Sequence, residues 1–152
     1  MAKTYQITFT VRMVNMLATA LLRAGIRIHT MSLLTVRGRK SGQPHSVPVT
    51  LVEQGSQRWL VAPYGAVQWV RNLRAAGTAT LTRGRRSEAI SVTELPAQEA
   101  APILKRYLLN VALVRPYFDV TIDSPLEAFE LEAPRHPVFH ITTMDSVQDD
   151  RS

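Results

Sequence analysis

The sequence predicts an α+β fold, a small barrel or strongly curled sheet of about six mostly antiparallel strands with flanking helices. Short segments with apolar residues at alternate positions recur along the chain, turn residues join them, and they outnumber the predicted helices. Strands joined by short turns pair antiparallel, and such sheets close into barrels or pack against helices. The 152 residues suffice for one domain.

The first three strands are predicted to form a meander. Residues 31–37 form the first strand, and a turn of glycines and basic residues follows at 38–44. Residues 45–53 alternate between apolar and polar side chains and form the second strand. A short turn at 54–56 leads to the third strand at 57–63. Because both connections are short, these strands are expected to pair antiparallel.

The rest of the barrel domain is predicted to contain two helices and three strands. Residues 66–75 form a short helix that ends before Gly77, the residue type favoured just past a helix end. Residues 115–134 are predicted to be irregular because prolines interrupt them. The other predicted elements are a hairpin of strands at 78–83 and 87–95, a helix from 96 to about 110 or 113, and a last strand at 136–143.

Residues 1–29 are predicted to form an amphipathic helix ahead of the barrel domain at 30–144, and 145–152 a flexible acidic tail. The apolar run at 13–22 is shorter than the roughly 20 residues that cross a bilayer, although signal peptides carry runs of this length. A polar stripe favours the amphipathic helix, which either covers the core or rests on a membrane surface. The stripe consists of Thr8, Arg12, Asn15, Thr19, Arg23 and Arg27.

The composition limits the chemistry. Cysteine is absent, which excludes disulfides, cysteine-ligated metals and a thiol nucleophile. Eighteen basic against twelve acidic residues give a net charge of +6, which attracts phosphates and other anions. The aromatic residues are not interleaved with the arginines, which argues against nucleic acid as a partner. No metal site is predicted, and the histidines, including His136, are expected to be surface or half-buried.

Three features favour an anion or a flat ring system as the ligand. The turn at 38–44 combines glycines with Arg39 and Lys40, and glycines allow backbone N–H groups to turn toward an anion. A second basic set extends from Arg71 to Arg86. Trp69 lies in a helix that follows a glycine-containing segment, where an anion can be received. The alternatives are solvated turns and a tryptophan packed in the core.

Two motifs resemble those of the deazaflavin-dependent nitroreductase family. The first is Gly38-Arg39-Lys40-Ser41-Gly42-Gln43-Pro44 followed by His45-Ser46-Val47-Pro48-Val49. The second is Trp69-x-x-Asn72-Leu73-x-Ala75, about thirty residues further on. The resemblance covers roughly residues 30–143 and implies a split β-barrel related to proteins that bind flavin mononucleotide.

The resemblance implies coenzyme F420 as the cofactor, an 8-hydroxy-5-deazaflavin with a phosphate and a glutamate tail, and makes flavin mononucleotide less favoured. By similarity, Arg39, Lys40 and Ser41 hold the phosphate or tail. The remaining cofactor-binding positions line the ring or the opposite wall. They are His45, Pro48, Val49, Thr50, Ala62, Pro63, Tyr64, Gln68, Trp69, Val70, Arg71 and Asn72.

The implied activity is hydride transfer from reduced F420 to a small electron-poor acceptor such as a quinone, an enone or a nitro compound. Candidate proton donors are Thr50, Tyr64 and Tyr117, and no catalytic residue is certain. The alternative is a non-catalytic protein of the same fold that binds a lipid, a fatty acid or the cofactor. The expected location is the cytoplasm, with peripheral contact to the inner face of the membrane if the N-terminal helix rests on lipid. Both a monomer and a dimer agree with the sequence.

Overall fold

Six antiparallel strands close into a barrel in the computed structural model, which describes residues 31–144. The strands are β1 (Met31–Arg37), β2 (Pro44–Gln54), β3 (Gln57–Val61), β4 (Thr78–Arg83), β5 (Arg86–Glu94) and β6 (Val138–Thr143). Their order around the barrel is β1, β2, β3, β6, β5 and β4, and β4 pairs with β1. The predicted barrel is confirmed, whereas the predicted helix at 1–29 and the tail at 145–152 lie outside the described residues.

Three α-helices and two short 3-10 helices flank the barrel within residues 31–144. The α-helices are α1 (Gln68–Ala76), α2 (Ala97–Asn110) and α3 (Leu126–Glu132), and the 3-10 helices are Ala112–Tyr117 and Ala133–Arg135. The expectation of an irregular segment at 115–134 is therefore wrong. Pro125 precedes α3 with a φ of −72°, a value that the proline ring favours, so this proline introduces a helix. The last strand begins at Val138, two residues later than predicted.

The alternation of side chains along the strands creates two apolar cores. Val49 and Leu51 of β2 point into the barrel, where α1 contributes Val70 and Leu73. Val52 belongs to a second core outside the barrel, which α2 and α3 cover. Because neighbouring residues of a strand face opposite sides, the consecutive buried residues Leu51 and Val52 serve different cores.

The two ends of the barrel carry different turns, helices and basic residues. Leu33 pairs with Thr82 and Thr35 pairs with Thr80, so the end of β1 lies beside the start of β4. The β1–β2 turn and α1, which directly precedes β4, therefore share one end, which we call the α1 end. The β4–β5 turn lies at the opposite end. The structure thus divides the second basic set: Arg71 and Arg74 lie at the α1 end, and Arg83, Arg85 and Arg86 at the other.

The second strand is longer than its neighbour β3. Residues 44–50 of β2 pair with β1, but only residues 51–54 pair with β3. Beyond Val61 the chain stays beside the start of β6, because the Ala62 N–H donates to the Pro137 carbonyl at 2.8 Å. Within residues 31–144, the side of residues 44–49 that faces away from β1 therefore pairs with no strand. We call this stretch the open edge of β2.

Candidate functional site

The β1–β2 turn and α1 meet through Arg39. Its guanidinium donates to the side-chain oxygens of Asn72 at 2.7 Å and Gln68 at 3.0 Å. The Arg39 backbone N–H also donates to the Asn72 oxygen, at 3.1 Å. Asn72 is buried although it is polar, and these bonds satisfy its oxygen. The two motifs that were singled out in the sequence are thus joined at the α1 end of the barrel.

The turn itself is closed by short internal contacts. The Gly38 N–H donates to the Gln43 carbonyl at 2.8 Å, and the Gly42 N–H donates to the Gly38 carbonyl at 2.9 Å. A Cβ atom on Gly38 would lie 2.9 Å from Ser41 Oγ and 3.0 Å from the His45 ring. A side chain at position 38 would therefore displace Ser41 and His45, which pack directly against the Gly38 backbone.

Positive charge at the α1 end is left without acidic partners. Lys40 and Arg71 are both exposed, and no acid among residues 31–144 forms an ion pair with either. Arg74, one helical turn after Arg71, is instead bound to Glu94 through two hydrogen bonds of 2.9 and 2.8 Å. We call Arg39, Lys40 and Arg71 the cationic corner. It is suited to bind an anion, because its positive charges form no ion pair with a carboxylate in the described part of the chain.

The segment Ala62–Gly65 follows β3, and its first residue stays beside the start of β6; we call this segment the wall. The half-buried Tyr64 packs edge-on against Tyr117, with ring centroids 4.9 Å apart. Gly65 has a φ of +86°, which favours glycine, and its missing Cβ would lie 3.4 Å from the Arg135 carbonyl. The wall therefore rests closely on the residues that precede β6.

A buried charged cluster lies behind this wall. Nδ1 of His136 is 2.8 Å from the Pro63 carbonyl, and Nε2 is 2.7 Å from Glu132 Oε2. Arg135 donates to the same carboxylate at 2.7 Å, and it also reaches Asp119 at 2.6 Å. The His136 ring stacks on Phe118 with the ring centroids 3.7 Å apart. The expectation of a surface or half-buried imidazole is wrong for His136, which is 3% exposed.

Burial acts on three ionisable groups near the wall. Burial lowers the pKa of His136, although the hydrogen bond to Glu132 opposes this effect. Burial also works against ionisation of Glu132, but the hydrogen bonds from Arg135 and His136 hold the pKa of this carboxyl below its ordinary value. Burial raises the pKa of Tyr107, so this phenol keeps its proton at neutral pH.

The predicted site residues fall into three groups. Arg39, Gln68 and Asn72 are joined by hydrogen bonds, and Tyr64 and Tyr117 by ring contact. Pro48 and Thr50 share the outward face of β2 with Val52. The side chains of Val49, Ala62, Val70 and Trp69 pack in or against the barrel core.

The family model described as F420H(2)-dependent quinone reductase matches residues 10–121. A search of curated proteins found no match.

Several solved structures share the fold. One is described as a domain-swapped dimer; it is 22% identical with a TM-score of 0.55, and the match covers 88% of this chain and 93% of that one. An F420-H2 dependent reductase, FDR-A, is 23% identical with a TM-score of 0.51, over 75% and 95% of the two chains. General Stress Protein 26 from Bacillus anthracis is 10% identical with a TM-score of 0.51, over 83% and 88%.

Proposed function

The chain belongs to the F420H(2)-dependent quinone reductase family, whose model covers most of its length, and on that premise we propose that it reduces a quinone with a hydride from reduced F420. The predictions of an oxidoreductase and of F420 as its cofactor are confirmed by the family match. The alternative, a non-catalytic lipid carrier, is not favoured. The proposal takes a quinone as the physiological acceptor; an enone and a nitro compound are the other acceptors that the resemblance implies.

The cationic corner carries the proposal. F420 bears a phosphate and several glutamate carboxylates, and Lys40 and Arg71 are exposed cations without an acidic partner among residues 31–144. Asn72 and Gln68 hold the Arg39 side chain in place, so it needs little further ordering when an anion binds. We assign the phosphate and the tail to this corner, with Ser41 and His45 packed beneath it.

The deazaflavin ring is assigned to the space between the open edge of β2 and the wall at Ala62–Gly65. The open edge offers backbone groups that pair with no strand in the described part of the chain. Pro48 and Thr50 contribute outward side chains there, and Pro63 and Tyr64 contribute apolar surface on the other side. Ligand pockets combine an apolar lining with a few polar groups that fix the orientation of the ligand.

When bound, reduced F420 supplies the hydride, and the protein supplies position, exclusion of water and a proton. Of the three predicted donors, Tyr64 and Tyr117 lie together and are half-buried. Thr50 stands apart from them on β2, paired in register with Met31. Each hydroxyl could donate its proton as the acceptor takes up negative charge.

The test is a binding titration followed by a turnover assay. Wild-type protein is titrated with oxidised F420 and with flavin mononucleotide, and reoxidation of F420H2 by menadione is then followed by visible absorbance. We expect tighter binding of F420 than of flavin mononucleotide, and reoxidation that depends on the protein. Arg39→Ala and Lys40→Ala should weaken F420 binding, whereas Arg85→Ala, at the opposite end of the barrel, should not. Unchanged affinity in the first two variants would falsify the tail assignment.

We further propose that the protein is cytoplasmic and touches the membrane peripherally through the basic stripe in residues 1–29. The stripe and the low water solubility of most quinones support this proposal. In residues 31–144, no helix is long and apolar enough to cross a membrane. Co-sedimentation with anionic vesicles tests it: replacing Arg12, Arg23 and Arg27 with glutamine should abolish binding, and retained binding contradicts the proposal.

A further inference from the structure

Residues 135–137 hold the Ala62–Gly65 wall at three points. The Ala62 N–H donates to the Pro137 carbonyl at 2.8 Å. The Pro63 carbonyl lies 2.8 Å from Nδ1 of His136. Gly65 lies so close to the Arg135 carbonyl that a Cβ atom would be 3.4 Å away. Of these three contacts, only the one at His136 is made by a side chain.

The hydrogen bond from His136 to Pro63 has a fixed direction. A carbonyl oxygen can only accept, so Nδ1 must carry a proton. The neutral ring keeps this proton on Nδ1, and the 2.7 Å contact of Nε2 with Glu132 Oε2 is a hydrogen bond only when a second proton lies on Nε2 or on the carboxyl. The bond to Pro63 is therefore present in both charge states, and Glu132 acts on the other nitrogen.

Glu132 fixes the orientation of the His136 ring. Its carboxylate accepts the Asp119 backbone N–H at 3.1 Å and the Arg135 guanidinium at 2.7 Å, so it is held from two other directions. Phe118 stacks flat on the ring, which prevents it from tilting. The Glu132 and His136 side chains are only 5% and 4% exposed. Such a shell of contacts leaves the imidazole a single position.

We propose that His136 is a positioning residue for the hydride transfer: through its bond to the Pro63 carbonyl it sets the distance of the Pro63–Tyr64 wall from the deazaflavin ring. This rests on the proposed function. His136 itself does not touch the reacting atoms, because it is buried behind the wall. The wall carries Tyr64, one of the candidate proton donors, so its position affects both ring binding and proton delivery.

Two substitutions separate the two ring nitrogens. In His136→Asn, the amide nitrogen takes approximately the place of Nδ1 and keeps a donor for the Pro63 carbonyl. In His136→Gln, the amide reaches toward Glu132, and the donor to Pro63 is lost. Both variants are uncharged amides of similar polarity, so they differ mainly in which of the two partners they reach.

Three measurements are made on both variants: melting temperature, dissociation constant for oxidised F420, and turnover number with menadione. Hydrogen exchange of the Gly65 and Val67 amides is added in the protein without cofactor. For His136→Gln we expect faster exchange at both amides, a dissociation constant raised about tenfold and a turnover number lowered about tenfold. For His136→Asn we expect the exchange rates, the dissociation constant and the turnover number to stay within about twofold of wild type. A twofold change corresponds to less than about 0.5 kcal/mol.

Equal F420 affinity and equal exchange in the two variants overturn the proposal. An equal loss of affinity in both variants that parallels a drop in melting temperature also overturns it, because the loss would then reflect general destabilisation. If His136→Gln does not fold, Gly65→Ala strains the same wall, because Gly65 has a φ of +86°, and unchanged F420 binding in that variant overturns the proposal. Failure of wild-type protein to bind F420 contradicts the proposed function instead. The exchange data on the cofactor-free protein still decide whether His136 holds the wall.

Discussion

Asn72 accepts two hydrogen bonds from a single residue, Arg39: one from the guanidinium at 2.7 Å and one from the backbone N–H at 3.1 Å. The two residues are 33 positions apart, and the contact joins a strand turn to a helix that plugs the barrel. Asn72 therefore fixes the shape of the turn and the direction of its arginine at the same time. Asn72, together with Gln68, thus sets the position of Arg39 in the cationic corner.

Asn72→Ala should weaken F420 binding and destabilise the fold. Arg39 loses its main acceptor, and hydrogen bonds to charged groups contribute about 1.5–3 kcal/mol each. Because the exposed guanidinium can turn to water instead, we expect a loss in the free energy of unfolding of about 1–2 kcal/mol. The dissociation constant for F420 should rise about tenfold. Urea denaturation and a fluorescence titration measure the two effects.

Asn110→Ala is the matched control for this substitution. Asn110 is exposed at the end of α2, so its removal should change neither stability nor F420 affinity by more than about 0.5 kcal/mol. An Asn72→Ala protein with wild-type affinity would show that Arg39 finds its bound position without the helix.

Lys40→Ala and Arg71→Ala should reduce affinity for the tail of F420 and not for its ring. Both side chains are exposed and lack acidic partners in the described part of the chain, so their removal costs little stability. We expect each to lower F420 affinity about three- to tenfold at low salt, and less at high salt, because ions screen exposed charges. Titrations with F420 and with the deazaflavin chromophore lacking the tail provide the comparison. An equal loss for both ligands contradicts the assignment.

Acid should destabilise the protein through the buried pair behind the wall. Burial holds the pKa of His136 below its ordinary 6.5. Burial disfavours the charged form of Glu132 too, yet its hydrogen bonds from Arg135 and His136 hold its pKa below the ordinary 4.5. In each case the folded protein binds the proton more weakly than the unfolded chain. The stabilisation is complete above about pH 6.5 and is lost as the pH falls, first through the pKa of His136 and then through that of Glu132.

Urea denaturation between about pH 8 and pH 3 measures this dependence. Glu132→Gln cannot ionise, so its free energy of unfolding should be lower at neutral pH and should fall less steeply below pH 4.5. The ion pair between Arg58 and Glu88 is present in both proteins and contributes equally to both curves. Parallel curves for the two proteins would rule out Glu132 as a source of the acid sensitivity.

Phe129→Ala should be among the most destabilising single substitutions in α3. Phe129 is fully buried in the outer core, and large-to-small changes at such aromatic positions cost about 3–5 kcal/mol. Leu131→Ala, two residues away, is the control, because Leu131 is 85% exposed and should change stability by less than about 0.5 kcal/mol. Thermal and urea denaturation distinguish the two. A mild effect of Phe129→Ala would mean that α3 is dispensable for the outer core.

The barrel could be predicted because its signals are local. Alternating apolar residues and short turns define each strand, and the pairing of neighbours along the chain follows from the turns. Helix α3 is not predicted from the sequence because Pro125 and Pro134 suggest an interrupted segment, whereas in the structure they flank the helix. Proline is compatible with the start of a helix, so the segment after Pro125, which mixes apolar residues with glutamates, is also compatible with one.

Part of the site was visible in the sequence and part was not. Arg39 and Asn72 lie in motifs that family resemblance singled out, and the structure joins them. The His136 cluster could not be found in the same way, since Pro63 and Asp119 lie far from His136 along the chain and Glu132 ends helix α3, which the sequence does not predict. The spacing of four between Glu132 and His136 becomes informative only once the intervening residues are known to be helical.

The open edge of β2 also bears on how the molecule behaves at high concentration. Pro44 and Pro48 are four residues apart along it, so their backbones point the same way, and strands accommodate proline where its missing N–H is not needed. That direction is away from β1, so two of the donors another strand would need are absent. Regular backbone pairing of a second copy along residues 44–49 would lack these two donors, which disfavours extension of the sheet there.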